Sequence, residues 1–377
     1  VWLVLQALPL GRVFGAFLFQ LPDGGMFSSN SLSLAPGSTW LMLIRMTSYA
    51  LLFLLAVQAG ANSGRADRLV MFIFWAIVLH AAFSLIQLTQ LGDTILGFPK
   101  EGYLGAATGT FINRNSFATF LAIGLAIGVS QLPRILLQPR ARNHAPSDTI
   151  LQVLLIAAGL LVILIALLAT QSRMGLFAGG VGVFAVVLLI LRWLPRAAIL
   201  IPAAIVLTLA VSGLAISIFG QGVLERVLDL AGSTAGRLEL YRQVLVMIAE
   251  RPLLGYGGGA FELAFPSFFG PPLPVTVLFN KAHSTYLTLV SELGLIGALL
   301  PILIILLVLL RLLRTQLAVA ELSAPRLAAI GAIVVSAVHS TVDFSLEIQA
   351  NAYLLIALCG IGLASSIVTT SQRRNQV

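Results

Sequence analysis

The run ILQVLLIAAGLLVILIALLA (residues 150–169), the turn TQSRMG (170–175) and the run LFAGGVGVFAVVLLIL (176–191) decide the fold of this chain. Each apolar run approaches the roughly 20 residues with which a helix crosses the hydrocarbon core of a bilayer. Lipid offers no hydrogen-bond partner to a peptide group, so such a segment is expected to be a helix. The stretch therefore predicts two membrane-spanning helices joined by a tight turn.

The composition of the whole chain agrees with this reading. Of its 377 residues, 59% are hydrophobic and 10% are charged, whereas soluble domains average about 45–50% apolar and about 25% charged residues. A water-soluble globular fold is therefore excluded. Cys359 has no second thiol to pair with, so a disulfide within the chain is excluded as well. Val1 stands inside an apolar stretch, and we expect the natural N-terminus to lie upstream of it.

The same length criterion identifies ten spans and predicts an all-α polytopic membrane protein. We expect residues 1–377 to form a single integral membrane domain, with the first span truncated. In chain order the predicted spans are Val1–Leu10, Trp40–Ala59, Leu69–Leu91, Phe117–Gln131, Ile150–Ala169, Leu176–Leu191, Ala197–Phe219, Thr285–Leu310, Leu327–Val342 and Asn351–Val368.

The net charge of +8 comes from 22 Lys+Arg against 14 Asp+Glu. More than half of the basic residues fall on alternate connections, which marks those connections as cytoplasmic. The surplus is therefore an orientation signal and does not point to nucleic acid; it predicts a cytoplasmic C-terminus. The arginines concerned are Arg65, Arg68, Arg134, Arg140, Arg142, Arg192, Arg196, Arg311, Arg314, Arg326, Arg373 and Arg374.

The largest connection, Gly220–His283, lies on the opposite, outer side. Loops of this length usually carry function or local structure. Apolar residues at helical spacing predict a helix over Gly236–Arg251, which Pro252 ends. The run Gly255–Gly259 and the region Pro266–Pro274 are predicted to be irregular.

Polar residues on the outer side are the candidates for chemistry, because placing them at the membrane edge is costly. Before the fourth span, Asn115 or Ser116 could cap the helix and Arg114 could anchor a headgroup; the alternative is that this cluster has a functional role. Between the fifth and sixth spans, Arg173 is pinned between two helix ends. Its rigid guanidinium matches phosphate oxygens, which favours binding of a fixed anion.

The predicted helix of the large loop carries a third cluster. Arg237 and Tyr241 are four residues apart and share one face, whereas Arg242 points elsewhere. Arg237 stands near the helix start, where free N–H groups favour anions, and Ser233 or Thr234 could supply the cap. The alternative is an amphipathic helix that lies on lipid, with its arginines bound to headgroups.

Two further groups involve titratable residues. His283 is the candidate general base of the outer loops, with Tyr286 beside it in sequence. Glu292 lies nine residues beyond His283, half a turn around the helix, so it is expected to orient a neighbouring helix or polar side chain. His339 and Asp343, at i and i+4, could form a structural ion pair or a proton relay, and the spacing favours structure.

The sequence carries no metal-binding pattern and no nucleotide fingerprint. Its carboxylates are scattered, and the run Gly257–Gly259 lacks both a preceding strand and a following Lys-Ser pair. We therefore expect neither a metal nor another cofactor, and no role for ATP.

Taken in order, these motifs resemble the bacterial O-antigen ligase and polymerase superfamily. The resemblance runs from about residue 40 onward and rests on the order of the motifs more than on any one of them. They are GTFINRNSF (109–117), SRMG (172–175), GR (236–237), ERPLLGYG (250–257), HSTYL (283–287) followed by ELG (292–294), and HSTVDF (339–344).

The resemblance implies a GT-C-like glycosyltransferase of the inner membrane. It would be metal-independent and inverting, and would act on the periplasmic face. It would transfer a glycan from undecaprenyl diphosphate to lipid A-core or, as a polymerase, to another glycan; we favour ligation.

On the matching positions, Arg173 and Arg237 would hold the diphosphate and His283 would deprotonate the acceptor hydroxyl. Tyr241 stands where the family commonly has tryptophan, which leaves its role open. We assign a further part in donor binding to Arg242 and Arg114. The supporting residues are Asn113, Asn115, Tyr286, Glu292, His339 and Asp343.

Two other functional classes make different predictions. A lipid-linked sugar flippase would carry polar residues at the bilayer midplane and often repeated halves. Here Arg45 and Glu292 are the charged residues within the predicted spans, and no internal repeat is visible. A sensor or scaffold would use the large loop as a binding module. Beyond donor and acceptor, the expected partners are membrane lipids.

Overall fold

The computed structural model describes residues 1–20, 24–137, 146–192, 230–274, 279–319 and 321–374. Some predictions concern residues outside these ranges: the span Ala197–Phe219 and the basic residues Arg140, Arg142 and Arg196. The side chains of the two suggested helix caps, Ser233 and Thr234, also lie outside the described part.

Helices dominate the described chain, and its strands form two short antiparallel hairpins. The helices are α1 (Trp2–Ala7), α2 (Gly11–Phe14), α3 (Pro36–Gly60), α4 (Ser63–Gln90), α5 (Arg114–Leu137), α6 (Pro146–Ala169), α7 (Arg173–Leu191), α8 (Leu230–Glu250), α9 (Phe261–Ala264), α10 (Thr285–Ala318), α11 (Ala324–His339) and α12 (Gln349–Arg374). The strands are β1 (Phe17–Gln20) with β2 (Met26–Ser29), and β3 (Thr94–Ile95) with β4 (Phe98–Pro99). Short 3₁₀ turns follow at Phe265–Ser267 and Ser345–Glu347.

The prediction of an all-α polytopic membrane protein is confirmed. Within the described ranges, seven helices are long and apolar enough to cross a membrane: α3, α4, α5, α6, α7, α10 and α12. Helix α11 is apolar but shorter, and the predicted truncated first span contains only the six-residue α1. The count of ten spans therefore stays a prediction.

Local chemistry explains where some helix ends depart from the apolar runs. Helix α4 begins at Ser63, six residues before its predicted start at Leu69, because the side chain of Asn62 accepts the N–H of Arg65 at 3.0 Å. Such a cap satisfies a backbone donor that the first helical turn leaves unpaired. Helix α11 ends at His339, three residues before the predicted end at Val342.

The chain divides into two compact units. The first contains Val1–Leu51, Gln221–Leu306 and Ser340–Phe344; the second contains Leu52–Gly220, Leu307–His339 and Ser345–Val377. The expectation of a single integral domain stays a prediction. Each unit is described by itself below.

In the second unit, α5 packs against α4, α6, α7 and α11. Small residues allow α5 and α7 to approach closely: a Cβ on Gly175 would lie 2.4 Å from the Cβ of Ala118, and one on Gly179 would lie 3.2 Å from that of Ala122. Small residues four apart on facing helices are a common device for close packing in membranes. The contact brings the N-terminal ends of α5 and α7 side by side.

Helix α11 closes the same bundle with a third set of small residues. A Cβ on Gly331 would meet the Cβ of Ala126 at 2.7 Å, and one on Gly182 would meet Val335 at 2.3 Å. Three helices thus share one tightly packed core.

In the first unit, α10 is interrupted at Gly294, whose φ of 63° and ψ of 176° are not helical. The break leaves peptide groups on both sides without partners along the helix, and the loop after α8 supplies them. The exchanged hydrogen bonds run from Tyr256 N–H to the Ser291 carbonyl (3.0 Å), from Gly257 N–H to the Glu292 carbonyl (2.8 Å) and from Leu295 N–H to the Pro252 carbonyl (2.8 Å).

The part of α10 beyond the break is long enough to cross the membrane alone. Residues 295–318 rise by about 36 Å at roughly 1.5 Å per residue, which exceeds a hydrocarbon core of about 30 Å. The piece before the break is therefore not needed to cross the membrane, and it begins directly after Ser284, the residue that follows His283.

The core of the first unit is aromatic. Phe19 of β1, Tyr256, Phe261 and Phe265 pack against the apolar face of α8. The guanidinium of Arg251 lies 3.9 Å above the ring of Phe19, which ties the first hairpin to the segment after α8.

We expect Gly175→Ala to lower the free energy of unfolding by about 1–3 kcal/mol, because the added methyl group would force α5 and α7 apart. Gly180→Ala is the matched control on the same helix, since nothing lies within 4 Å of its added Cβ. Alanine has the higher helix propensity, so this control is expected to be neutral or slightly stabilising. Thermal unfolding in detergent measures both, and equal melting temperatures would contradict the packing argument.

Candidate functional site

Arg114 and Arg173 are each the first residue of a long helix in the second unit. At the start of α5, the side chain of Asn113 accepts the N–H of Asn115 at 2.7 Å. At the start of α7, the hydroxyl of Ser172 accepts the N–H of Gly175 at 3.2 Å. The expectation that Asn115 or Ser116 caps α5 was wrong, because the residue before Arg114 already fills that role. Because Arg114 and Arg173 are the first residues of α5 and α7, both stand at the positive end of a helix dipole.

Gln171 connects the two helix starts. Its side-chain oxygen lies 3.5 Å from Nη1 of Arg114, and its amide group donates to the Gly105 carbonyl at 2.9 Å. The guanidinium of Arg114 also lies 5.3 Å above the ring of Tyr103. Arg114 is thus restrained on two sides. Arg173, by contrast, is exposed, and no carboxylate of the described residues forms an ion pair with it.

The loop that carries Tyr103 and Gly105 is held by an ion pair that sequence reasoning missed. Lys100 is buried, pairs with Asp93 and donates to the Ala106 carbonyl at 2.8 Å. Asp93 in turn accepts the N–H of Gly105 at 2.7 Å. A buried lysine needs such partners because an unpaired charge is costly away from water. The two residues flank the β3–β4 hairpin, which brings them opposite one another, and the apolar runs of the sequence do not predict that hairpin.

In the first unit, α8 carries the predicted loop arginines. The helix covers most of the predicted Gly236–Arg251, and it ends at Glu250, before Pro252. Arg237 is exposed, and no described acidic side chain forms an ion pair with it. Arg242 differs, because Glu239 accepts hydrogen bonds from its Nη2 at 2.6 Å and from its Nε at 2.9 Å.

His283 lies two residues before the first residue of α10, with its backbone in the left-handed region at φ 52°. Its carbonyl accepts the hydroxyl of Tyr241 at 2.8 Å, and its ring stands edge-on to Phe344 at 5.2 Å between centroids. Burial, with the nearby charge of Arg237 as the second cause, lowers the pKa of His283 to about 4. The imidazole is therefore neutral at pH 7 and can accept a proton.

The segment Ser340–Phe344 supports the start of α10. The N–H of Thr285 donates to the carbonyls of Ser340 and Asp343, both at 3.1 Å. The hydroxyl of Ser284 donates to the Ser340 carbonyl at 3.2 Å, and that of Thr285 to the Asp343 carbonyl at 3.2 Å. Backbone oxygens of this turn therefore fix the two residues that follow His283.

The helical spacing predicted for His339 and Asp343 was wrong, because α11 ends at His339 and the chain turns at once to bring its carbonyls to α10. His339 is buried, and its Nδ1 lies 3.3 Å from the hydroxyl of Ser345, which accepts a hydrogen bond from Thr119 at 2.9 Å. An ion pair or proton relay between His339 and Asp343 stays a prediction.

Glu292 contacts the first residue of the neighbouring helix α9, as predicted, and also the glycine-rich loop before it. It is 4% exposed, and its carboxylate accepts the N–H groups of Gly259 at 2.9 Å and Phe261 at 3.2 Å. The glycine-rich run and the start of α9 are thereby fixed against the break in α10. Tyr286 lies half-buried in the first turn of α10.

The predicted residues thus gather in two groups, one in each unit. The first unit brings Arg237, Tyr241 and His283 together, and the second brings Arg114, Arg173 and their capping residues together. In the described ranges, no three His, Cys, Asp or Glu side chains converge as a metal site requires.

Residues 158–302 match the family model described as O-antigen ligase. This part of the chain is therefore similar to O-antigen ligases, which supports the resemblance to the O-antigen ligase and polymerase superfamily. The ligase segment covers less than half of the 377 residues, and it contains Arg173, Arg237 and His283. No curated protein matches the chain significantly.

The ligase segment supports O-antigen ligase or polymerase activity in general. It indicates a glycosyltransferase-like enzyme, with lipid-linked glycan and lipid A-core as its general substrates. Together with the apolar helices, it indicates an integral membrane protein.

We expect the imidazole of His283 to titrate at about pH 4. Arg237→Gln removes a positive charge that opposes protonation, so the pKa should rise toward the ordinary value of about 6.5. Arg242→Gln is the control, because Glu239 already neutralises that arginine. Carbon-13 NMR of labelled histidine follows the titration, with His283→Gln to assign the signal. An equal shift in both variants would contradict the assigned cause.

Proposed function

We propose that the protein is an O-antigen ligase of the bacterial inner membrane. It would transfer a glycan from undecaprenyl diphosphate to a hydroxyl of lipid A-core on the periplasmic face, with its C-terminus in the cytoplasm. The observation that carries the proposal is that α8 brings Arg237, which no described carboxylate neutralises, close to His283, whose carbonyl accepts the Tyr241 hydroxyl of the same helix at 2.8 Å. The matched ligase segment and the alternation of basic connections support it.

The reaction needs one base and a cationic site for the leaving group. The acceptor oxygen forms a bond to the anomeric carbon as the bond from that carbon to the diphosphate oxygen breaks. His283 takes the proton of the hydroxyl, and the electron pair of the broken bond stays on the diphosphate. A direct displacement of this kind inverts the anomeric configuration.

Arginines are suited to the leaving group because charge develops there in the transition state. We assign this role to Arg173 and Arg237, which are exposed and have no ion-pair partner among the described residues. Arg114 and Arg242 would contribute less, since one is held by Gln171 and Tyr103 and the other by Glu239. On this assignment the transfer needs no metal and would continue in the presence of a chelator.

We expect Arg173→Ala and Arg237→Ala each to slow transfer by about 10²–10³-fold, because each removes a donor aimed at the developing charge. His283→Ala should cost about 10²–10⁴-fold, the usual contribution of a general base. Arg192→Ala, at the other end of α7, is the matched control and should stay near the wild-type rate. The assay uses purified protein with an undecaprenyl-diphosphate-linked glycan and lipid A-core.

Wild-type transfer by folded Arg173→Ala or His283→Ala protein would refute the assignment.

The acceptor separates ligation from the alternatives. Product on lipid A-core supports a ligase, whereas extension of a second lipid-linked glycan identifies a polymerase. Movement of the intact donor across a vesicle membrane without product would identify a flippase and overturn the proposal.

A further inference from the structure

Tyr241 contacts the candidate base through its backbone. The hydroxyl donates to the carbonyl of His283 at 2.8 Å, and the side chain is half-buried. Burial raises the pKa of this phenol above its ordinary value, so the hydroxyl stays protonated and remains a donor throughout the working range of pH. The contact spans 42 positions in the sequence, and it joins α8 to the start of α10.

The conformation of His283 needs such a contact. A residue with a Cβ is disfavoured at φ 52°, and it holds that conformation only where its surroundings fix it. The Tyr241 hydroxyl fixes the carbonyl of His283, and Phe344 packs edge-on against its ring. The Ser340 and Asp343 carbonyls hold the peptide of Thr285. Of these contacts, the Tyr241 hydroxyl acts on the His283 peptide itself.

Tyr241 also shares a face of α8 with Arg237, one helical turn before it. The helix that carries an arginine proposed for the diphosphate thus also holds the peptide of the proposed base. A change in the position of α8 would reach both groups at once.

We propose that Tyr241 is a positioning residue, whose hydroxyl fixes the His283 peptide and thereby directs the imidazole toward the acceptor hydroxyl. The role rests on the proposed transferase function. It adds to that function a physical link between donor binding on α8 and the proton acceptor before α10. We assign Tyr241 no contact with either substrate.

Tyr241→Phe tests the role, because it removes one hydroxyl and keeps the ring. We expect kcat to fall by about 10–100-fold, a part of what a general base contributes, with the KM for the donor within about twofold of wild type. Without the hydrogen bond from the Tyr241 hydroxyl to the His283 carbonyl, the imidazole should move away from Arg237 and toward solvent. The pKa of His283 should therefore rise from about 4 toward its ordinary range, as read by histidine carbon-13 NMR.

Tyr256→Phe is the matched control. It also removes a buried phenol hydroxyl from the first unit, one that donates to Glu250 at 3.3 Å, and it does not contact His283. We expect this variant to leave both kcat and the titration of His283 unchanged. A general loss of stability would lower the folded fraction of either variant, and it would not move the pKa of the folded protein.

An unchanged pKa of His283 in folded Tyr241→Phe overturns the proposal, and so does a wild-type kcat. The titration needs no substrate, so it gives an answer even if the wild-type protein proves inactive with lipid A-core. Inactive wild-type protein with a raised pKa in the variant would refute the transferase assignment and leave the positioning contact supported. If the wild-type protein is active and Tyr241→Phe leaves the pKa of His283 unchanged, the transferase assignment is supported and the positioning contact is refuted.

Discussion

The close contact of α5 with α7 is the constraint on which the second unit depends. Two helices can approach until their backbones nearly touch only where both present glycine or alanine, as at Gly175 and Ala118. The same contact brings two helix N-termini together and places an arginine on each of them. Like charges gathered in this way repel, and the arrangement becomes favourable when an anion lies against them. The packing of the bundle and the electrostatics at the N-terminal ends of α5 and α7 therefore have one cause.

The first unit depends on a different feature, the break in α10 at Gly294. Breaking a helix exposes peptide groups that lipid cannot satisfy. Here the interruption at Gly294 is matched by the loop after α8, whose backbone supplies donors on one side and acceptors on the other. Glu292 then fixes the same loop through its carboxylate. The short helical piece that follows His283 is held by these bonds, and it owes nothing to the requirement of spanning a bilayer.

Helix positions were predictable where they depend on residues within the helix itself or directly beside it. The apolar runs predict α6 and α7 to within a few residues, and Pro252 correctly limits α8, because apolar length and proline act on the segment that contains them. The cap on Asn113 was misassigned by two positions, since several polar residues there compete for one role. Glu239, three residues before Arg242, was a readable signal for the ion pair that occupies this arginine. The spacing of His339 and Asp343 misled because it assumed a helix that ends too early to hold both residues.

Other features depend on pairings that no spacing reveals. The bond from Tyr241 to His283 joins segments 42 positions apart, and packing elsewhere in their unit decides their approach. The pair of Lys100 with Asp93 depends on the β3–β4 hairpin that these residues flank, which the apolar runs do not predict. Resemblance to a family pointed to His283, while the residues that hold it in place became visible only in the fold. The sequence thus pointed to the candidate base more readily than to the residues that hold it in position.

The hydrogen bonds exchanged across Gly294 also have a consequence for biogenesis. The loop of residues 252–257 precedes α10 in the chain, so it leaves the ribosome first. When α10 emerges, the peptide groups of this loop are already present as partners for those that the break exposes. The order of synthesis thus supplies the hydrogen-bond partners before the break that needs them.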